Sequence, residues 1–190
     1  MKREKFWAEC GRINFSSTAQ SSENYIKSKL QLFENKKIME IGPGMGRQLN
    51  VVNSVNYKEY CIADITSSNF EETIFKNCDN LIISYPDYTE TNNKKYDVVH
   101  CWFVVHHVLP DELDNFFNFV RKHLKKNGHF IFNFPCKERH YNNQSNANDG
   151  IKTAEHTKEK VLEKLTGFDI VDDGEYFGDY NSYCITAKKK

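Results

Sequence analysis

The sequence predicts an α/β fold, in which helices cover both faces of a mostly parallel sheet. Three observations lead to this prediction. Short apolar runs typical of buried strands alternate with longer segments of helical periodicity along the 190 residues. The first of these runs is followed directly by a glycine-rich turn and then by helical sequence. Since no internal repeat or Pro/Gly-rich linker divides the chain, we expect a single doubly wound domain over residues 1–190.

The first half of the chain is predicted to supply three strands. Residues 16–34 precede them and have one apolar helical face, formed by Tyr25, Ile26, Leu30 and Phe33. The predicted strands are 36–41, 57–65 and 80–85, and the helical segments between them are 46–55 and 68–77.

The second half is predicted to supply four more strands. Residues 96–105 are apolar almost throughout, as expected of a central parallel strand. The clearest helix is 111–128, for which Gly128 supplies a stop signal, and the strand 129–135 follows it. After a helix at 156–165, the runs FDIVDDGEYF and NSYCITAKK form a hairpin-like pair. We therefore expect seven strands, with one antiparallel strand near the edge of the sheet.

Composition excludes several classes of protein. The formal net charge of +0 gives no overall basic field to attract nucleic acid. There is no apolar run of the ~18 residues that a membrane span requires, and the mean hydropathy is -0.70. The N-terminus lacks the apolar segment of a signal peptide. The six cysteines are scattered without a CxxC pair, as is typical of free thiols in the cytoplasm. Composition does not distinguish a monomer from a homodimer.

The glycine-rich turn reads EIGPGMG, with Gly42, Gly44 and Gly46 at alternate positions. A turn between a strand and a helix brings backbone N–H groups and a helix N-terminus against a ligand. The dinucleotide fingerprint requires a third glycine at the position of Arg47, and a P-loop requires a Lys-Ser or Lys-Thr pair that is missing here. The spacing therefore disfavours a nicotinamide cofactor and a P-loop nucleotide.

Two acidic residues accompany the turn. Glu40 lies two residues before Gly42, at the end of the first strand, and Asp64 ends the second strand. A carboxylate at that strand end can accept hydrogen bonds from both hydroxyls of a ribose. Together, the turn, the acids and the strand order predict a nucleoside-binding site.

The chain resembles the class I S-adenosylmethionine-dependent methyltransferases over about residues 36–187. EIGPGMG looks like the first family motif, (D/E)-x-G-x-G-x-G, and ADIT looks like the second. YDVVHCWFVVHHVLPDEL is similar to the FDxVxxxxxLHHL motif of the small-molecule branch, and LKKNGHFIF to the fifth-strand motif. The resemblance implies a Rossmann-like fold with S-adenosylmethionine as the cofactor.

The family pattern implies a set of cofactor-binding residues. Glu40 would approach the methionine amino group, the glycine turn would pass under the methionine and ribose, and Asp64 would hold the ribose. The adenine amino group would meet Asp87, the nearest acid, although counting back from Tyr96 places Tyr85 there. The implied set is Glu40, Gly42, Pro43, Gly44, Gly46, Asp64, Ile65, Asp87, Cys101 and Trp102.

The acceptor site carries no motif that identifies a substrate. The resemblance implies a lid in residues 1–35, and the Asn-rich segment 137–156 is long enough to be a substrate-side loop. His106 and His107 are candidates for a general base. The alternative is that they support the site without touching the acceptor. As neighbours in sequence, they should point apart and make a poor metal pair, and we predict no metal. The candidate substrate contacts, each with core packing or solvent exposure as the alternative, are Tyr25, Trp102, His140 and Tyr141.

These features favour a methyltransferase acting on an O or N atom of a small molecule, possibilities including a sugar or a nucleotide-linked metabolite. A nucleic-acid methyltransferase is disfavoured by the charge and by the missing (D/N)PP(Y/F) signature. Cys136, after Pro135, follows the fifth strand without a second matching element, so a nucleophilic role is disfavoured. A nicotinamide-dependent oxidoreductase and a non-catalytic S-adenosylmethionine-binding partner protein remain as alternatives.

Overall fold

The computed structural model of the protein describes residues 7–8, 20–135, 154, 156–176 and 182–190. The strands are β1 (Lys37–Ile41), β2 (Glu59–Asp64), β3 (Asp79–Ile82), β4 (Tyr96–Cys101), β5 (Leu124–Pro135), β6 (Phe168–Asp172), β7 (Glu175–Tyr176) and β8 (Ser182–Lys189). The α-helices are α1 (Gln20–Ser28), α2 (Arg47–Val52), α3 (Leu113–His123) and α4 (Lys158–Glu163). Short 3₁₀ turns occupy Leu30–Leu32, Thr73–Phe75 and Val105–His107.

All the strands belong to one sheet, whose main path runs β3-β2-β1-β4-β5-β8-β6. The strands β3, β2, β1, β4 and β5 are parallel to one another. β8 lies between β5 and β6 and is antiparallel to both. The two-residue β7 pairs with β8 beside this path. The prediction of seven mostly parallel strands with one antiparallel strand is confirmed, and β7 is an addition to it.

Alternation along the strands places apolar side chains on both faces of the sheet. One face packs against α3 and α4, through buried residues that include Met39, Val99, Phe117, Phe130 and Val161. The other face packs against α1 and α2, through buried residues that include Ile26, Ile38, Leu49, Tyr60 and Val98. Helices therefore cover both faces, which is the doubly wound arrangement predicted from the sequence.

The N-terminal segment forms the predicted apolar face. Tyr25, Ile26 and Phe33 are fully buried against the sheet. Leu30 packs against the same cluster from a half-buried position. Lys29 fastens this segment to the far edge of the sheet through an ion pair of 2.6 Å with Asp172.

Two of the predicted helical segments differ markedly from the structure. Between β2 and β3, the helical prediction for 68–77 is wrong, because the segment has only the 3₁₀ turn at Thr73–Phe75. The helix predicted over 111–128 ends at His123, and β5 begins at the next residue. The buried His123 ring bonds the carbonyl of Lys94 at 3.0 Å and Glu90 at 2.8 Å, which ties the end of α3 to the connection before β4.

Gly128 is required by the sheet and is not a helix stop. A Cβ atom at this position would lie 2.9 Å from the carbonyl oxygen of Asp97. The residue before it, Asn127, has a φ of 63°, where the pairing of β4 with β5 shifts register between Tyr96 and Val98. A glycine therefore allows β5 to resume close pairing with β4 after this irregularity.

Candidate functional site

The carboxyl ends of β1, β2 and β4 lie side by side at one edge of the sheet. The connection after β1 leads to β2 on one side, while β4 pairs on the other side. Such a switch point opens a crevice beyond the strand ends, where doubly wound proteins bind their ligands. The glycine turn borders this crevice on the β1 side, and the turn after Cys101 borders it on the β4 side.

The three glycines of the turn all have left-handed backbone conformations, with φ of 66° at Gly42, 53° at Gly44 and 76° at Gly46. Two of them lie against the protein's own side chains. A Cβ atom at Gly42 would lie 2.6 Å from Cγ2 of Val104, and one at Gly46 would lie 2.7 Å from Cγ2 of Ile74. A Cβ atom at Gly44 would have no atom within 4 Å. Gly44 is therefore the glycine that faces open space, where a ligand can approach the backbone.

Asp64 stands at the end of β2 with its carboxylate turned back onto the following residues. The backbone N–H of Thr66 donates to Oδ1 at 3.2 Å. Burial raises the pKa of the Asp64 carboxyl to about 6, so it is mainly ionised at neutral pH. Ile65 is half-buried beside it, at the margin of the core. This pairing of a carboxylate acceptor and an apolar surface suits a ribose and the base attached to it.

Glu40 is buried beneath the turn, with 1% of its surface exposed. The hydroxyl of Tyr60 donates to Oε2 at 2.6 Å. Burial raises the pKa of the Glu40 carboxyl to about 8, and the Tyr60 hydrogen bond partly opposes this effect. Sequence reasoning did not identify Tyr60, which lies in the middle of an apolar strand and gives no local signal of a polar role.

Trp102 and Cys101 follow one another but lie on opposite faces of the sheet. Cys101 belongs to the core under α3, where burial raises the pKa of its thiol. Trp102 is packed under α1, with its ring 6.0 Å from that of Tyr25. The predicted strand 96–105 ends at Cys101, because Phe103 turns with a φ of 55° and donates its N–H to Oδ1 of Asn133 at 2.7 Å.

Tyr25 lies in the core, whereas Asp87 lies at the surface. Tyr25 is fully buried, and its hydroxyl shares a 2.8 Å hydrogen bond with Thr186 of β8. Its side chain therefore packs α1 against the sheet, which is the core-packing alternative to a substrate contact. Asp87 is exposed in a turn closed by the Ser84 and Thr89 backbones. Tyr85 is half-buried nearby and donates to Glu112. The structure therefore brings Tyr85, rather than Asp87, to the margin of the core.

His106 and His107 form the 3₁₀ turn that follows β4. Their ring centroids are 3.8 Å apart, so the expectation that they point apart is wrong. That expectation assumed extended backbone, whereas the 3₁₀ turn carries both rings to the same side. Burial lowers the pKa of the His106 imidazole well below its ordinary value, with His107 and His156 as further causes. His106 is therefore neutral at physiological pH.

Two segments that are distant in sequence contact this turn or the residue after it. The ring of Trp7 lies 4.7 Å from that of His107. The N–H of Ala154 donates to the His106 carbonyl at 2.8 Å, and Nε2 of His156 is bonded to the Val108 carbonyl at 2.8 Å. The predicted contacts His140 and Tyr141, together with Cys136, lie outside the described residues.

The described residues contain no group of three or more His, Cys, Asp or Glu side chains that could hold a metal ion. Among the same residues, no helix is both long enough and apolar enough to cross a lipid bilayer.

The fold and the crevice define a doubly wound α/β protein with a nucleoside-type site at its switch point. Residues 19–167 match a family described as a methyltransferase domain, and the chain belongs to this family. None of the curated proteins matches the sequence significantly. The narrower branch suggested by the fourth-strand motif stays a prediction.

Solved structures of similar fold cover nearly the whole chain. Magnesium protoporphyrin IX methyltransferase from Synechocystis PCC 6803, with bound SAH, is 14% identical with a TM-score of 0.70 and covers 98% of each chain. The N-methyltransferase NodS from Bradyrhizobium japonicum WM9, in complex with SAH, is 12% identical with a TM-score of 0.72 and covers 99% of each chain. A SAM-dependent methyltransferase from Aquifex aeolicus is 14% identical with a TM-score of 0.72 and covers 100% of each chain. At these identities the likeness concerns the fold.

Proposed function

We propose that the protein binds S-adenosylmethionine in the crevice and transfers its methyl group to an O or N atom of a small molecule. The observation that carries the proposal is the combination of an open approach at Gly44 with carboxylates at the ends of β1 and β2. Family membership and the S-adenosyl ligands of proteins with the same fold support it.

The described residues suit the parts of this cofactor. Asp64 would accept hydrogen bonds from the ribose hydroxyls, with Ile65 and Tyr85 on the adenine side. Gly44 would allow the methionine portion to approach the backbone, and Glu40 would face its ammonium group. The cofactor supplies an activated methyl group that an acceptor atom can displace in line. The protein's contribution is then chiefly alignment and exclusion of water.

The acceptor site would lie around the turn Val105–His107. Trp7 from the N-terminal segment and Ala154 from the end of the Asn-rich segment both contact this turn, which supports an acceptor site there. His106, with its strongly lowered pKa, would be a weak general base. A proton acceptor, if the substrate needs one, is better supplied by the half-buried His107. The net charge of +0 favours a small acceptor over DNA or RNA.

Calorimetric titration with S-adenosylmethionine, S-adenosylhomocysteine and NAD tests the donor site. We expect both S-adenosyl ligands to bind and NAD not to bind. Asp64→Ala should weaken S-adenosylhomocysteine binding at least about tenfold, since the ribose loses a charged acceptor. Asp169→Ala, which removes an exposed carboxylate on the edge strand β6, is the matched control. Absence of S-adenosyl binding, or unchanged binding by Asp64→Ala, would overturn the donor assignment.

Transfer of a radiolabelled methyl group to fractionated metabolites, RNA and DNA tests the acceptor. Label in a small-molecule fraction is the expected result. Label in nucleic acid alone would replace the proposal with the nucleic-acid alternative. Binding without transfer to any fraction would favour a non-catalytic binding protein.

A further inference from the structure

A buried chain of hydrogen bonds runs from beneath α1 to the glycine turn. Nε1 of Trp102 donates to Nδ1 of His100 at 3.0 Å. Nε2 of His100 lies 2.9 Å from the Tyr60 hydroxyl, and this hydroxyl donates to Oε2 of Glu40 at 2.6 Å. His100 and Tyr60 are 0% and 1% exposed. The function proposed above gives no role to His100 or Tyr60.

The direction of every bond in the chain follows from its first donor. An indole nitrogen can only donate, so Nδ1 of His100 must be the acceptor and carries no proton. Burial lowers the pKa of His100 to about 3, so the ring is neutral and its single proton is on Nε2. That proton is donated to the Tyr60 oxygen, which leaves the Tyr60 hydrogen for Glu40. Tyr60 is therefore held as a donor to Glu40.

This hydrogen-bond chain ends in the hydrogen bond that Glu40 accepts from Tyr60. Among the described residues, Tyr60 is the one hydrogen-bond donor that contacts the Glu40 carboxylate. Glu40 and His100 are paired across β1 and β4, and the ring of Phe33 packs at 5.4 Å against His100 from the α1 side. The other titratable groups near Glu40 are the thiols of Cys78 and Cys101, whose pKa values are themselves raised by burial. No cation compensates the Glu40 charge among these neighbours.

We propose that Tyr60 and His100 are positioning residues that hold the Glu40 carboxylate for the ammonium group of the cofactor, so that binding of this ammonium displaces a proton from Glu40. This inference rests on the proposed function. With a pKa of about 8, Glu40 is mostly protonated at pH 7 in the free protein. The ammonium group supplies the missing counter-charge, and the carboxyl proton passes to solvent. The O–H bond of Glu40 breaks, and the ion pair with the ligand forms.

The wild-type protein provides the first test. S-Adenosylhomocysteine carries the ammonium group, whereas methylthioadenosine keeps the adenine, ribose and sulfur but lacks the amino-acid portion. From the pKa of Glu40, affinity for S-adenosylhomocysteine should rise about tenfold from pH 6 to pH 7 relative to methylthioadenosine. The ratio of the two affinities cancels the contribution of Asp64, which contacts the ribose of both. Calorimetry in buffers of different ionisation enthalpy should show release of about 0.9 proton at pH 7 for the first ligand only.

Variants of Tyr60 and His100 test the hydrogen-bond chain. Tyr60→Phe removes the hydrogen bond that favours the ionised carboxylate, so S-adenosylhomocysteine affinity at pH 7 should fall about tenfold and recover as the pH is raised. His100→Leu removes the group that orients Tyr60 and should shift the pH profile in the same direction. His100→Gln keeps an acceptor for Trp102 and a donor for Tyr60, and should restore the wild-type profile. Methylthioadenosine binding should stay unchanged in all three variants, which shows that the site is folded.

The proposed function and the role of the hydrogen-bond chain can be refuted separately. If neither nucleoside binds the wild-type protein, the proposed function is wrong. If both bind with the same pH dependence and no proton is released, the S-adenosyl site is supported and the role of the hydrogen-bond chain is refuted. Equal effects of His100→Gln and His100→Leu on the pH profile would refute the hydrogen-bonding role of His100.

Discussion

The substitution Glu40→Gln should stabilise the ligand-free protein while weakening its binding of the cofactor. Glutamine keeps the size of the side chain and an oxygen that can accept the Tyr60 hydrogen bond, but it removes the ionisable group. In the wild-type protein, burial raises the pKa of Glu40 from 4.5 to about 8. The folded protein therefore holds a proton that the unfolded chain releases over this interval.

The sign and size of the effect follow from proton linkage. Because the folded state binds more protons between pH 4.5 and 8, the contribution of Glu40 to stability is complete below pH 4.5 and is lost as the pH rises through 8. Each unit of pKa difference corresponds to about 1.4 kcal/mol. The difference in unfolding free energy between Glu40→Gln and wild type should therefore grow by about 3 kcal/mol from pH 5.5 to pH 8.5.

Urea unfolding monitored by circular dichroism at pH 5.5, 7.0 and 8.5 measures this difference. Comparison at several pH values removes any pH-independent effect of the amide on stability. All other titrating groups are the same in the two proteins, so their contributions cancel in the difference. Glu40→Gln should also reduce S-adenosylhomocysteine affinity. Parallel stability profiles for the two proteins would refute the claim that Glu40 is protonated in the free protein.

The remaining predictions concern the glycine turn and the core. Gly42→Ala should cost about 3 kcal/mol, because it combines a left-handed φ with a clash against Val104, whereas Gly44→Ala should cost only about 1 kcal/mol. Urea denaturation of both variants tests this contrast, and equal losses would contradict it. Phe117→Ala should cost about 3–5 kcal/mol, since the fully buried ring packs 6.0 Å from that of Phe130. A loss below about 1 kcal/mol in thermal or urea unfolding would show that the core under α3 is not tightly packed.

Local pattern was sufficient for most of the fold. The interior strands β1, β2 and β4 are buried along most of their length, because helices cover both faces of the sheet there. The exceptions occur where long-range contacts override local preference. The helix α3 ends at the buried His123, which is bonded to Glu90, and Gly128 serves the β4–β5 contact rather than the helix end. Such contacts connect residues that are far apart in sequence and leave no periodic signal.

For the site, the sequence by itself predicted the cofactor end, because the glycine spacing, Glu40 and Asp64 occur in one short region and at one strand end. Only the tertiary structure decided which glycine faces open space, since Val104 and Ile74 come from segments distant from the turn. It also decided the surroundings of Glu40, because Tyr60 and His100 become its neighbours only when β2 and β4 pair on either side of β1. The identities of ligand groups are thus local properties of the sequence, whereas their protonation and accessibility depend on the packing around them.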